Sequence, residues 1–117
     1  MPHAVSPARL QDLLATLVAI NSVNPTLAGE AAADAPGEAD LADVVASEMR
    51  AIGLEVERWE AAPGRPNVVG VLRGTGGGRS LLLNAHMDTV GVAGMDAPFE
   101  PVVRNGRMYG RGTQDMK

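Results

Sequence analysis

Two stretches of the chain carry large apolar residues at the three-and-four spacing of a helix face. The first follows Ser6-Pro7, a capping residue and a proline suited to the first helical position, and continues to Ile20. The second runs from Leu41 to Ile52, and Gly53 stands where helices often end in a left-handed residue. Two amphipathic helices are predicted. Their apolar faces are Leu10, Leu13, Leu14, Leu17 and Val18 in the first helix, and Leu41, Val44, Val45, Met49 and Ile52 in the second.

The segment between these helices has a different composition. Asn24-Pro25 ends the first helix, because the residue before a proline is disfavoured in helical conformation. From Leu27 to Asp40 the chain is mainly Ala, Gly, Asp, Glu and Pro, with almost no large side chain to bury. A mobile surface loop is therefore expected.

Alternating and fully apolar runs predict strands in the second half of the chain. Leu54 to Trp59 alternates apolar and charged residues, and the turn Pro63–Pro66 separates it from a second run, Val68 to Leu72. After a glycine-rich connection at Gly74–Gly78, the run Ser80–Ala85 contains three consecutive leucines, which favours a third strand buried on both faces.

A short hairpin is predicted near the end of the sequence. Pro101–Arg104 and Arg107–Tyr109 flank Asn105-Gly106, the residue pair that supplies the positive φ angles of a type I′ turn. With two helices and three strands before it, the hairpin completes an α/β fragment.

Composition removes several classes of function. The chain has 117 residues, no cysteine and a net charge of −4, so thiolate chemistry is excluded and any metal must be bound by His and carboxylates. Its basic residues are scattered, which argues against nucleic-acid binding, and no stretch reaches the ~20 apolar residues of a membrane span. A soluble, cytoplasmic protein is expected.

Candidate chemistry lies at the end of the predicted third strand. His86 and Asp88 are two residues apart, so on a continuing strand their side chains point to the same side, and Asp88 can orient the imidazole. A His-x-Asp pattern alone is more often structural than functional. Here it follows an apolar strand and precedes a glycine-rich stretch, Tyr109–Lys117, that carries Asp115. The combination predicts part of a metal site.

These segments resemble a known family, the zinc-dependent amide hydrolases that include acetylornithine deacetylase, succinyl-diaminopimelate desuccinylase, aminoacylases and glutamate carboxypeptidases. The resemblance implies that His86 binds one zinc, that Asp88 is a catalytic residue orienting His86, and that Asp115 bridges two zincs. It also implies a cis peptide bond after Asp115. The matching stretches are His86–Val90, Asp96–Pro101, Gly106–Gly112 and Asp115–Lys117.

The family resemblance implies a larger enzyme than residues 1–117 provide. Its members carry a Glu-Glu pair, another acidic ligand and a distant histidine beyond the bridging aspartate, and none of these can be assigned here. The chain is accordingly interpreted as the N-terminal segment of the catalytic domain, a helix-flanked mixed-sheet domain of a dinuclear zinc hydrolase. Alone, it is expected to bind zinc weakly and to be inactive, because catalytic zinc usually has three protein ligands.

The resemblance also implies the activity of the complete enzyme. Hydrolysis of the amide bond in an N-acyl amino acid, of the deacetylase or desuccinylase type, is the first expectation, with two Zn²⁺ (or Co²⁺) as cofactors and a homodimer as a possible assembly. A dipeptidase or carboxypeptidase acting on short peptides is the alternative within the family. A non-catalytic α/β module that assembles with another polypeptide is the alternative of a different class.

Overall fold

The computed structural model describes residues 5–27 and 37–117. The predicted mobile loop lies largely at residues 28–36, outside the described part. No helix in residues 5–27 or 37–117 is long and apolar enough to cross a membrane. The elements are α1 (Pro7–Val18), α2 (Glu38–Ala51), β1 (Glu55–Ala62), β2 (Arg65–Val71), β3 (Val102–Arg104) and β4 (Arg107–Tyr109).

Helix α1 begins at the proline that the sequence pattern indicates. Ser6 occupies the N-cap position, but its side chain makes no capping hydrogen bond. The apolar face is buried only toward its C-terminal end, where Val18 is fully buried, whereas Leu10 is exposed. The end of α1, rather than its whole length, therefore contributes to the core.

Helix α2 starts earlier than predicted. Glu38 and Asp40 lie in its first turn, where acidic side chains interact favourably with the helix dipole, so the loop prediction is wrong for residues 38–40. Leu41, with Ala42 and Ala46, forms the buried face, while Ile52 at the C-terminal end is 72% exposed and does not belong to the core.

Strands β1 and β2 form an antiparallel hairpin against α2. Pairing extends from Glu55 opposite Val71 to Ala62 opposite Arg65, with an irregularity near the turn, and it continues three residues beyond the predicted end of β1. The hairpin approaches α2 closely at Gly70, because a Cβ there would lie 2.9 Å from the Met49 Sδ. A larger residue could not fit at that position without a shift.

The predicted third strand is not formed. Residues 80–85 make no β-ladder, and Leu81, Leu82 and Leu83 are each more than 80% exposed. The strands of the described residues form two separate two-stranded antiparallel sheets, so this run has no neighbouring strand on either side. A helix-flanked mixed sheet is therefore not seen here, although the helices and strands agree with the α/β class.

The hairpin of β3 and β4 is confirmed. Val102 pairs with Tyr109 and Arg104 with Arg107, while Asn105 and Gly106 have φ angles of 51° and 73°. Both angles are positive, as a type I′ turn requires.

Candidate metal-ligand site

The side chains of His86 and Asp115 meet although they are 29 positions apart in the sequence. The His86 Nε2 lies 3.0 Å from the Asp115 Oδ1. Both side chains line a cleft of about 560 Å³, whose other lining residues are Leu27, residues 88–90 and residues 110–114. The His86 side chain is about half exposed and that of Asp115 is 81% exposed, so the pair is open to solvent.

The segment carrying His86 is held by the residues that follow α1. Thr89 and Val23 form an isolated parallel bridge, in which the Thr89 N–H donates to the Ser22 carbonyl at 3.0 Å and the Asn24 N–H donates to the Thr89 carbonyl at 2.8 Å. The fully buried Ser22 hydroxyl also donates to the Met87 carbonyl at 2.7 Å. The sequence pattern indicated residues 21–25 only as the end of a helix, so this supporting role was missed.

The segment carrying Asp115 packs against the end of α1. The Arg111 N–H donates to the Pro98 carbonyl at 2.7 Å, and the Thr113 hydroxyl donates to the Gly110 carbonyl at 3.0 Å. At Gly110 a Cβ would lie 2.4 Å from the Val18 Cγ1, so only glycine fits at this contact. The glycine-rich sequence thus permits a close approach between this turn and α1.

Lys117 anchors the end of the same turn. Its ammonium group donates to the Ile20 carbonyl and lies 5.7 Å from the centre of the Phe99 ring. Burial lowers the pKa of Lys117 to about 8. These contacts direct the ammonium group toward α1 and the Phe99 ring.

Both ring nitrogens of His86 face oxygen atoms, and these contacts influence where the ring carries protons. Its Nδ1 lies 2.9 Å from the Asp88 backbone carbonyl oxygen and 3.2 Å from the Asp88 Oδ1, and both of these oxygens are acceptors. The Asp115 Oδ1 at the Nε2 is an acceptor as well, so both ring nitrogens donate in the protonated form. In the neutral form the two acceptors at the Nδ1 favour a proton on that nitrogen, and the Nε2 lone pair is then available to a cation. The hydrogen bond to the Asp88 carbonyl, followed by that to the Asp115 carboxylate, raises the pKa of His86 above its ordinary value.

Asp88 is itself held in place by a residue that sequence reasoning did not single out. The Asn24 side-chain amide donates to the Asp88 Oδ2 at 2.8 Å. The Asn24 Oδ1 accepts hydrogen bonds from the Thr26 N–H at 2.9 Å and from the Thr26 hydroxyl at 2.7 Å. A chain of polar contacts therefore runs from Thr26 through Asn24, Asp88 and His86 to Asp115.

The His86–Asp115 pair suits a zinc ion in chemistry and spacing. Zinc binds imidazole nitrogen and carboxylate oxygen at about 2.0–2.2 Å, so two donor atoms 3.0 Å apart can both reach one cation. Within residues 5–27 and 37–117 no group of three or more His, Asp or Glu side chains is arranged to hold a metal. Further ligands would have to come from outside these residues.

Two buried polar side-chain atoms near the cleft lack a partner in the described part of the chain. The Thr89 Oγ1 and the Arg111 Nε have no hydrogen-bond partner within the described ranges.

The peptide bond after Asp115 is trans, so the prediction of a cis bond is wrong for this chain. A non-proline cis bond costs about 2.5–4 kcal/mol and needs surrounding contacts to enforce it, whereas the side chain of Asp115 and residue Met116 are exposed.

Comparison with known proteins supports the motif-based assignment. Residues 82–117, which include His86, Asp88 and Asp115, match the model of Peptidase family M20/M25/M40. This part of the chain is therefore similar to that family. The resemblance of the chain to zinc-dependent amide hydrolases is thereby confirmed, and the match covers every residue that lines the cleft except Leu27.

Relatives of two kinds are found among curated members. An N-formyl-4-amino-5-aminomethyl-2-methylpyrimidine deformylase of Halalkalibacterium halodurans is 36% identical over 111 residues, covering 90% of this chain and 24% of the relative. The deformylase of the same name from Bacillus subtilis is 38% identical over 79 residues, covering 62% and 18%. A succinyl-diaminopimelate desuccinylase of Paraburkholderia xenovorans is 40% identical over 75 residues, covering 59% and 20%. The chain spans at most about a quarter of the length of these relatives.

Proposed function

We propose that the complete protein is a metal-dependent hydrolase that removes an acyl group from nitrogen, with His86 and Asp115 as metal ligands and Asp88 as the catalytic residue that orients His86. The observation that carries this proposal is the 3.0 Å approach of the His86 Nε2 to the Asp115 Oδ1. It brings together two of the residues that the family motifs single out. The two acceptors at the Nδ1 favour a proton on that nitrogen in the neutral ring, so the Nε2 could bind a cation together with Asp115.

The residues of this chain would contribute binding and orientation. His86 would supply a neutral imidazole nitrogen, and Asp88 would keep the ring in place through both its backbone carbonyl and its carboxylate. The exposed Asp115 carboxylate has a second oxygen that can serve a second cation, as expected for a site with two Zn²⁺ or Co²⁺ ions. When bound, such ions polarise a carbonyl oxygen and lower the pKa of water.

The substrate proposal rests on what the relatives share. Their names describe removal of a formyl group in one case and of a succinyl group in the other. Both are cleavages of an amide-type bond between an acyl carbon and nitrogen. We favour an N-acyl amino acid of the acetyl or succinyl class, in a cytoplasmic and homodimeric enzyme, with a dipeptidase or carboxypeptidase as the alternative.

The isolated 117-residue chain is proposed to be inactive. His86 and Asp115 supply two ligands, whereas catalytic zinc usually has three protein ligands and also needs a general base nearby. The third ligand and the general base would come from other parts of the complete protein. A non-catalytic module that assembles with another polypeptide would instead show no hydrolysis in any form of the protein.

The test compares metal content and hydrolysis in the full-length protein. His86→Ala and Asp115→Asn are each expected to lower bound zinc and to reduce kcat/KM by at least about 100-fold on a panel of N-formyl, N-acetyl and N-succinyl substrates. Glu57→Gln, which changes an exposed carboxylate on β1, is the matched control and should leave both unchanged. Normal zinc content and activity in the His86 variant would refute the assignment of His86 as a ligand.

A further inference from the structure

The backbone and the side chain of Asn24 make hydrogen bonds to two different residues. Its backbone N–H donates to the Thr89 carbonyl and so belongs to the bridge that holds the 86–89 segment. Its side chain does something different, because the amide N–H donates to the Asp88 Oδ2 at 2.8 Å. Replacing the side chain therefore removes the Asp88 contact without removing the backbone bridge.

The orientation of the Asn24 amide is determined by its neighbours. Thr26 donates to the amide oxygen from both its backbone N–H, at 2.9 Å, and its hydroxyl, at 2.7 Å. With two donors on the oxygen side, the nitrogen side must face Asp88, where it meets an acceptor. A flipped amide would lose all three hydrogen bonds and would place its oxygen against a carboxylate.

The Asp88 carboxylate is thus held at both oxygens. Its Oδ2 accepts from Asn24, and its Oδ1 lies 3.2 Å from the His86 Nδ1. The Asp88 side chain is 26% exposed, so without Asn24 solvent could reach it and it could rotate away from the ring. Groups that orient a metal-binding histidine in this way commonly change metal affinity by about 10–100-fold when they are altered.

We propose that Asn24 is a positioning residue of the candidate metal site: its side-chain amide fixes the Asp88 carboxylate, and through it the orientation and tautomer of the His86 ring. The inference deepens the proposed function and rests on it for the metal-binding part. The part that concerns His86 itself holds for the metal-free protein as well. Asn24 does not contact the proposed ligand atoms directly.

The most specific variant is Asn24→Asp, which replaces the side-chain NH2 donor with a carboxylate oxygen. The new carboxylate retains an acceptor for Thr26, so the local turn is preserved, but it places an acceptor where Asp88 needs a donor. Asn21→Asp is the matched control. The Asn21 Oδ1 likewise accepts a backbone N–H, that of Val23 at 3.1 Å, so the same substitution there tests added charge in the same segment.

Two measurements on the full-length protein decide the matter. Zinc affinity, determined by competition with a chelator, should fall about 10–100-fold in Asn24→Asp and stay at the wild-type value in Asn21→Asp. In the metal-free proteins, at a pH above the His86 pKa, ¹⁵N NMR of the His86 ring, assigned with His86→Gln, should show mainly the Nδ1–H tautomer in wild type and control. In Asn24→Asp the share of this tautomer should fall, because only the Asp88 backbone carbonyl would still face the Nδ1.

The outcomes separate this inference from the proposed function. Wild-type tautomer populations and wild-type zinc affinity in Asn24→Asp would overturn the positioning role, as would an equal loss in Asn21→Asp. If Asn24→Asp does not fold, Asn24→Ala removes the donor without adding charge and is judged by the same two measurements. Unchanged zinc binding in His86→Ala would refute the metal site instead, while the tautomer comparison would still test the contact of Asn24 with Asp88.

Discussion

Gly110 lies so close to Val18 that a methyl group added to the glycine would come within 2.4 Å of the Val18 Cγ1. Val18 is fully buried, and Gly110 begins the turn that leads to Asp115. This contact joins the end of α1 to one half of the candidate site. Two distant parts of the sequence therefore share one small packing position.

Substitution of Gly110 by alanine should destabilise the protein. Overpacking against a buried side chain typically costs about 1–3 kcal/mol, and the backbone of the turn would have to move to relieve it. Urea unfolding of the full-length protein measures the effect. Gly78→Ala is the control, because a Cβ at Gly78 meets no atom of the described residues within 4 Å, and its effect should stay within about 0.5 kcal/mol. Equal effects of the two substitutions would contradict the packing argument.

The acid-base behaviour of His86 provides a second prediction. Its pKa is raised above about 6.5, first by the hydrogen bond to the Asp88 carbonyl and then by Asp115. Protonated His86 therefore stabilises the metal-free fold fully below about pH 6.5, and this stabilisation is lost as the pH rises through the higher folded-state value. An NMR titration of the His86 ring should give a midpoint above 6.5, and Asp115→Asn should lower it.

The raised pKa of His86 should weaken metal binding at low pH, whereas it stabilises the metal-free fold there. A metal needs the deprotonated imidazole, so zinc affinity should decline as the pH falls through the raised pKa of His86. Glu57→Gln should leave the titration midpoint of His86 unchanged. A midpoint at or below 6.5 in the metal-free wild-type protein would show that these contacts do not persist in solution.

The ion pair of Glu38 with Arg65 is expected to stabilise the packing of α2 on β2. Its two hydrogen bonds measure 2.7 and 2.9 Å, the Glu38 side chain is only 8% exposed, and the pair raises the pKa of Arg65. Arg65→Gln would leave a buried carboxylate unpaired. Because the Arg65 side chain is about one-third exposed, we expect a loss of about 1–3 kcal/mol rather than the larger cost of a fully buried pair.

A second arginine provides the comparison for this pair. Arg73 also contacts both carboxylate oxygens of its partner, Glu55, at 3.1 Å, but these side chains are 74% and 62% exposed. Arg73→Gln should therefore change the free energy of unfolding by less than about 1 kcal/mol. Chemical denaturation of both variants tests whether burial, rather than bidentate geometry, determines how much an ion pair contributes to the free energy of unfolding.

The exposed leucines at 81–83 predict association of the isolated 117-residue chain. Three consecutive large apolar side chains with unpaired backbone form a surface that favours contact with another copy. Sedimentation should reveal self-association that Leu82→Lys reduces. Ile52→Lys introduces the same charge at an exposed apolar residue outside this run and should have less effect. A monomeric wild-type chain at high concentration would contradict the prediction.

Sequence patterns predicted the helices and turns that depend on interactions between residues close together in the sequence. The apolar spacing of both helices, the proline that starts α1 and the Asn105-Gly106 turn all depend on neighbouring residues, and each was found. The buried third strand was not, because a strand needs a partner and residues 80–85 have none within residues 5–27 and 37–117. The early start of α2 was missed because the pairing of Glu38 with Arg65 joins residues 27 positions apart.

The candidate site was predictable to a similar extent. Sequence motifs singled out His86, Asp88 and Asp115, and the structure places all three in one cleft. Their roles in metal binding stay a prediction. Asn24 was missed because an asparagine before a proline is ordinarily a turn residue. Its contact with Asp88 arises only when the chain folds back across 64 positions.

The seven residues from Val18 to Asn24 reach both halves of the cleft, through Gly110 and Lys117 on one side and Met87 and Asp88 on the other. Grafting His86, Asp88 and Asp115 onto another scaffold would consequently fail to reproduce their geometry unless residues 18–24 were grafted as well. A designer seeking a minimal version of the site would need to copy a helix end as well as two loops.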